Sequence, residues 1–184
     1  MHPVIETERL IIRPPQLGDD VCLDKLIKRS LKELQPWMPW SNNPLITTQG
    51  FIEKSVTDWQ SKQQTDFPMV LIHKEDKTII GCSGYNSDSK PRVPYFEIAY
   101  WLDINYLGQG LATETVIALT RYAFEQLRAH RVQLSIQAEN IKSIHVAKRC
   151  GFTLEATLHN ACFNIQNKKP TDVLVFTCFD TQSL

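Results

Sequence analysis

Apolar positions recur at two different spacings along this chain, and the changes of spacing mark out its elements. Leu10-Ile11-Ile12-Arg13 reads as a first strand, stopped by Pro14 and Pro15, which cannot donate ladder hydrogen bonds. Leu23, Leu26, Ile27, Leu31 and Leu34 follow at helical spacing, with Asp19 or Asp20 placed to cap the helix. Pro36, Pro39 and Pro44 break regular structure around Trp37, Met38 and Trp40. A second helix is expected from about Thr48 to Lys62, with Phe51, Ile52, Val56 and Trp59 facing inward.

From Met69 the period shortens. Met69 to His73, a Glu75-Asp76-Lys77 turn and Thr78 to Cys82 predict a hairpin. YFEIAYWL, from Tyr95 to Leu102, is rich in aromatic and β-branched residues and reads as another strand. A long helix then carries Val116, Leu119, Ala123 and Leu127. Val132, Leu134, Ile136 and Ala138 alternate with Gln133, Ser135 and Gln137, the pattern of a half-buried strand. Asn140 is a good N-cap for a short helix that ends at Gly151, a natural left-handed C′ residue. Strands at about 153–163 and 172–179 complete the series. Mixed in this order, the elements predict an α+β fold: a single domain over 1–184, with helices flanking one mixed sheet.

Two segments carry candidate chemistry. In Leu107-Gly108-Gln109-Gly110-Leu111-Ala112-Thr113, glycines precede a helix, so free N–H groups and the positive dipole end could hold a phosphate or pyrophosphate. An ordinary glycine turn explains the same residues. A dinucleotide fingerprint is excluded by the missing third glycine, and a Walker loop by the absence of G-K-[ST]. In NIKSIHVAKRCGF, Asn140 caps a helix and Ser143 falls one turn in, where its hydroxyl could face a cleft.

Composition narrows the setting. Twenty Lys plus Arg balance twenty Asp plus Glu, so the chain lacks the basic footprint of a protein whose main ligand is nucleic acid. Cys22, Cys82, Cys150, Cys162 and Cys178 are odd in number and contain no C-x-x-C, which argues against a disulfide framework and fits a reducing compartment. The five histidines share no metal-ligand spacing, so no metal is expected. No basic flank and apolar run open the sequence, and no window nears the ~20 apolar residues that cross a bilayer. A cytoplasmic protein without membrane contact is the expectation.

Taken together, YFEIAYWLD, GQGLATE, RYAFEQL and NIKSIHVAKRCGF closely resemble the GNAT superfamily of acyl-CoA-dependent N-acetyltransferases, in its RimJ/RimL branch, named for enzymes that acetylate ribosomal-protein N-termini. ETERLIIRP, LQPWMPW and the late Asp172-Val173 extend the likeness over most of the chain.

The resemblance implies that the Tyr95–Leu102 strand splays from the Val132–Ala138 strand, with the pantetheine arm of acetyl-CoA in the gap. Backbone groups of Tyr100, Trp101 and Leu102 would meet the arm and the polarised thioester carbonyl. Main-chain amides from Leu107 to Thr113 would hold the pyrophosphate, although the family usually opens this loop with Arg or Gln where Leu107 stands. Asn140 matches a residue that meets the arm, and Ser143 a serine assigned in some members to the thioester sulfur. Many relatives outside the branch carry a general-acid tyrosine where Ala147 stands, which leaves Ser143 as the acid candidate.

Glu97 matches a base or water-positioning carboxylate, and is equally readable as a strand-surface carboxylate; Asp172 is a weaker candidate, also readable as a turn residue. Trp37 and Trp40 would line the acceptor groove or simply pack. Lys142, Lys148 and Arg149 could meet the 3′-phosphate or act as solvated dipole partners. The implied reaction is transfer of acetyl from acetyl-CoA to a primary amine, that of a protein N-terminus or a small molecule, by a monomer or homodimer. A non-catalytic acyl-CoA-binding regulatory domain is the competing reading.

Overall fold

Strand β3 explains why the sheet is covered on both sides. Its run Met69-Val70-Leu71 is entirely buried, with successive side chains pointing to opposite faces. Met69 and Leu71 join the larger core, while Val70 joins a second core with Leu23, Leu26 and Ile52. The computed structural model describes residues 3–43, 45–61, 66–90, 92–165, 167–182 and 184. In chain order the elements are β1 (Ile5–Glu6), β2 (Leu10–Arg13), α1 (Asp19–Leu34), α2 (Thr48–Asp58), β3 (Phe67–His73), β4 (Thr78–Tyr85) and β5 (Tyr95–Leu102). They continue with α3 (Leu111–Glu125), β6 (Arg131–Gln137), α4 (Ile141–Arg149), β7 (Thr153–Asn164) and β8 (Lys169–Cys178). Short 3-10 helices occupy Pro39–Asn42 and Ile104–Tyr106.

The strands form one sheet in the order β1-β2-β3-β4-β5-β6-β8-β7. Every neighbouring pair is antiparallel except β5 and β6. Helices α1 and α2 pack on one face through the second core, and α3 and α4 on the other. The expected α+β sheet with flanking helices is present.

Several boundaries move, each for a local reason. Helix α1 is preceded by Gly18 at φ 98°, not capped by Asp19 or Asp20. The Asp19 carboxylate instead accepts two hydrogen bonds from Arg13, at 2.7 and 2.9 Å, and one from the Gln16 N–H. Helix α2 ends at Asp58, and Trp59 beyond it donates its indole N–H to the Pro68 carbonyl at 2.8 Å. The expected end at Lys62 lies outside the described residues. Helix α3 stops at Glu125, before Leu127. Asn140 caps α4 as expected, its Oδ1 accepting the Ser143 N–H at 3.2 Å, and Gly151 takes φ 73° after the helix.

An ion pair with one buried partner ties α1 to the segment that leads into the glycine loop. Asp103, fully buried, follows β5 directly and accepts hydrogen bonds from the Arg29 guanidinium and from Ser30 Oγ at 3.1 Å. Ser30 Oγ in turn accepts the Ile104 N–H at 3.0 Å. Removing a buried carboxylate strands the donors it served. Asp103→Ala should therefore cost about 2–3 kcal/mol, less than the full range for a buried pair because Arg29 is half exposed. Urea unfolding measures this, and an unchanged midpoint would show that the pair carries no stability.

Candidate active site

Parallel pairing between β5 and β6 lasts for only three residue pairs, Tyr95 with Arg131, Phe96 with Val132 and Glu97 with Gln133. Beyond them β5 continues from Ile98 to Leu102 held by β4 alone, and β6 continues from Leu134 to Gln137 held by β8 alone. Backbone groups on the open edge of each strand face a gap, where buried N–H and C=O groups call for a partner. An extended molecule carrying amides of its own can supply that partner.

The gap is divided into two compartments. The larger, about 650 Å³, is walled by Tyr100, Trp101 and Leu102 of β5, the loop from Leu107 to Thr113, and α4. That volume lies within the usual range for a small-molecule site. At its end, Gly108 and Gly110 adopt φ 76° and 80°, left-handed values that favour glycine, and Gly110 leads directly into α3. The first-turn N–H groups of α3 therefore open onto the compartment, a ready anion site. The smaller compartment, about 190 Å³, lies on the other side of the gap and is lined by Asn86, Glu97, Ala99, Ser135 and Gln137 among others. Trp37, Met38, Tyr100, Asn140 and Ser143 line both, so the two compartments meet at these five residues.

Glu97 is buried, and a solvated strand-surface carboxylate is the reading that this corrects. Its Oε2 accepts from Tyr95 Oη and Gln133 Nε2, both at 2.8 Å, and its Oε1 from Asn86 Nδ2 at 3.3 Å. Burial is the chief reason, with the bond to Glu97 second, that the Tyr95 phenol is pushed well above its ordinary value. Ser143 gives its backbone N–H to the Asn140 cap. Asn140 alone provides that cap, so the Ser143 hydroxyl is not needed for it.

Two expected residues stand elsewhere. Trp40 lines neither compartment; it packs against Trp101 with ring centroids 6.0 Å apart. Gln109 is the one member of the 107–113 loop that does not line the larger compartment. Its side chain turns back to donate to the Asn105 carbonyl at 3.0 Å, and its own carbonyl accepts from Arg9 at 2.8 Å. Asp172 is engaged on the β7–β8 hairpin, accepting the Asn160 N–H at 2.9 Å and lying 3.0 Å from His159 Nδ1. Cys150 is buried, which pushes its thiol up to about 12, with Arg149 acting weakly the other way. That suits a core thiol better than a nucleophile. Among the described residues no group of three or more His, Cys, Asp or Glu side chains is arranged to hold a metal ion, and no helix is long and apolar enough to cross a membrane.

Sequence reasoning missed the fastening beneath the glycine loop. Arg9 donates from Nε to Glu114 Oε2 at 2.7 Å and from its backbone N–H to Oε1 at 2.8 Å, while Thr7 Oγ1 donates to the same Oε1 at 2.5 Å. The chain start is thereby clamped to the first turn of α3 and, through Gln109, to the loop itself. Both residues sit in quoted motifs, ETERL and GQGLATE, but no spacing rule brings together positions 105 apart.

The acetyltransferase (GNAT) domain model matches residues 9–153, and the chain belongs to that family. An N-acetyltransferase of Bacillus licheniformis named p20, itself uncharacterised, is 32% identical over 155 residues, 84% of each chain. The ribosomal-protein-serine acetyltransferase of Escherichia coli (strain K12) is 35% identical over 95 residues, 52% of each chain. In fold, the ribosomal-protein-S5-alanine acetyltransferase of Vibrio fischeri superposes with a TM-score of 0.83 at 21% identity, over 99% of both chains. The protein is an N-acetyltransferase.

The clamp predicts an acid-dependent stability. Burial works to raise the Glu114 carboxyl, but the hydrogen bonds from Thr7 and Arg9 and the Arg9 charge outweigh it and hold the group below the ordinary 4.5. A folded-state value lower than the unfolded one gives stability that is present above about 4.5 and is lost as pH falls through the lower value. Glu114→Gln should melt below wild type at neutral pH, and the two curves should converge in the acid range below about 4.5. Thermal melts across pH check this. A constant deficit would mean that the carboxylate charge is irrelevant.

Proposed function

We propose that the protein moves acetyl from acetyl-CoA to the N-terminal α-amino group of a protein, by direct attack of the amine on the thioester. The observation that carries this reading is the gap between β5 and β6, which joins a long compartment ending in an anion cradle to a small compartment ending in a buried carboxylate. Acetyl-CoA fits the first: its pantetheine amides can pair with the open edge from Tyr100 to Leu102, and its pyrophosphate with the amides from Leu107 to Thr113. A chain end fits the second, whose volume of about 190 Å³ excludes a folded surface. The name of the E. coli relative, a ribosomal-protein-serine acetyltransferase, supports a protein N-terminus as acceptor.

In this reading the protein contributes mainly position. Holding amine and thioester in attacking geometry supplies several kcal/mol by itself. A backbone N–H near Tyr100–Leu102 stabilises the developing oxyanion. An amine that arrives as ammonium must first lose a proton, and Glu97, held in place by Asn86, Tyr95 and Gln133, receives it directly or through a water. Ser143, where the compartments meet, stands beside the sulfur as a hydrogen-bond donor.

Thiol-release turnover tests the acceptor. Peptides with varied N-termini should turn over well above a panel of polyamines, amino sugars and other small amines. Preference for a small amine would replace the acceptor class, and acetyl-CoA binding with no turnover on any amine would make the chain a non-catalytic acyl-CoA-binding domain. The same assay addresses Ser143. Because the cap belongs to Asn140, Ser143→Ala should leave stability within about 0.5 kcal/mol and lower kcat by roughly 10- to 1,000-fold. Turnover within about twofold of wild type would remove Ser143 from the mechanism.

A further inference from the structure

At the junction of the two compartments the fold leaves the Tyr100 phenol oxygen buried and without a hydrogen-bond partner among the described residues. An orphaned buried hydroxyl is costly, and a functional site is a common reason for tolerating one. The side chain sits on the α3 and α4 face of β5, against the larger core, whereas its neighbour Trp101 joins the core beneath α1 and α2. It therefore approaches α4, whose sequence IKSIHVAKR offers a single hydroxyl, Ser143. Both residues line both compartments.

We propose that the Tyr100 hydroxyl is a catalytic hydrogen-bond donor to the sulfur of acetyl-CoA, stabilising the thiolate as it departs. The inference rests on the acetyl-CoA reading above and adds a residue to it. As the amine nitrogen bonds to the carbonyl carbon, the C–S bond breaks and its electron pair stays on sulfur. The proton lost by nitrogen passes to Glu97 or water. The thiolate later takes a proton from solvent, so CoA leaves as the thiol and Tyr100 keeps its own proton throughout.

The phenol suits that part. Burial raises it to about 12; Ser143 lies close enough to work against the rise, although the two hydroxyls do not meet hydrogen-bond geometry. The ionisable groups near enough to act on it are Cys150, which raises it, and Arg149, which lowers it. It stays protonated at neutral pH, a donor that does not surrender its proton to a thiol with a pKa of about 8.5 on the cysteine scale. Hydrogen bonding to the charged form of a group favours that form, so the CoA thiol should be more acidic when bound than when free.

Tyr100→Phe removes only the hydroxyl. Without ligand, the variant should melt no lower than wild type, because the lost group had no partner. The informative measurement is the pKa of the CoA thiol bound to each protein, read from thiolate ultraviolet absorbance as the difference from the desulfo-CoA complex. Wild type should bring the bound thiol below free CoA, and the variant should return it upward by about one unit, a tenfold change in thiolate. CoA affinity at a pH where the thiol is protonated should be equal in both. With a peptide acceptor, kcat should fall roughly 100-fold with KM for acetyl-CoA little changed.

An identical bound-thiol pKa in the two proteins would overturn the proposal. So would a variant that melts far below wild type, or one whose CoA affinity falls equally at every pH, since each would give the hydroxyl a structural partner or a packing role. Failure of wild type to bind CoA at all would be a different result. It would remove the acetyl-CoA reading itself, and this inference with it.

Discussion

The centre of this molecule is organised by the place where β5 and β6 stop pairing. Two strands that separate inside a sheet leave a row of backbone donors and acceptors unpaired in the interior, which a fold ordinarily avoids. Here the separation is held from outside, because β4 keeps its register along the far part of β5 and β8 does so along β6. At the hinge of the gap, the Gln133 side chain bonds across to Glu97 at 2.8 Å. The opening is thus a fixed property of the sheet. The glycine loop, α4 and the Trp37–Met38 segment are arranged around it.

Much of this was legible where the cause is local. The alternation from Val132 to Gln137, the Asn140 cap and the left-handed Gly151 depend on residues within a turn or two of each other, and each appears where the pattern placed it. Ser135 and Gln137 line the smaller compartment, and Leu134 and Ile136, which alternate with them, are buried. What the pattern could not show is convergence. Glu97 is equally readable as a base or as a strand-surface carboxylate until Asn86 of the β4–β5 connection and Gln133 of β6 close over it. Asp19 had the composition of a cap, yet a nearby arginine gave its carboxylate a better partner. Trp40 and Gln109 lie in the right segments but turn to Trp101 and Asn105, a choice made by packing that neighbours in sequence do not determine.

Charge is handled with similar economy around the cradle. Glu114 puts a carboxylate in the first turn of α3, where it favours the helix dipole but would repel an anion bound at the same end. Arg9 offsets that repulsion by pairing with Glu114, and it also reaches the Gln109 carbonyl. Lys142 of α4 lies 3.4 Å from Glu33 of α1, and both residues line the larger compartment.

The Arg9–Glu114 clamp also bears on how the protein reaches its working form. Contacts between distant parts of a chain form only after a large loop has closed, and topologies rich in them fold slowly. A cradle fastened across 105 positions cannot be finished by α3 and its loop alone, nor while the nascent chain is still short of Glu114. In the acetyl-CoA reading, a donor engaging this cradle would select molecules whose Thr7–Arg9 segment has already docked, and would drain the partly folded population by mass action. In a cell the supply of donor would then act on the lifetime of the enzyme as well as on its rate.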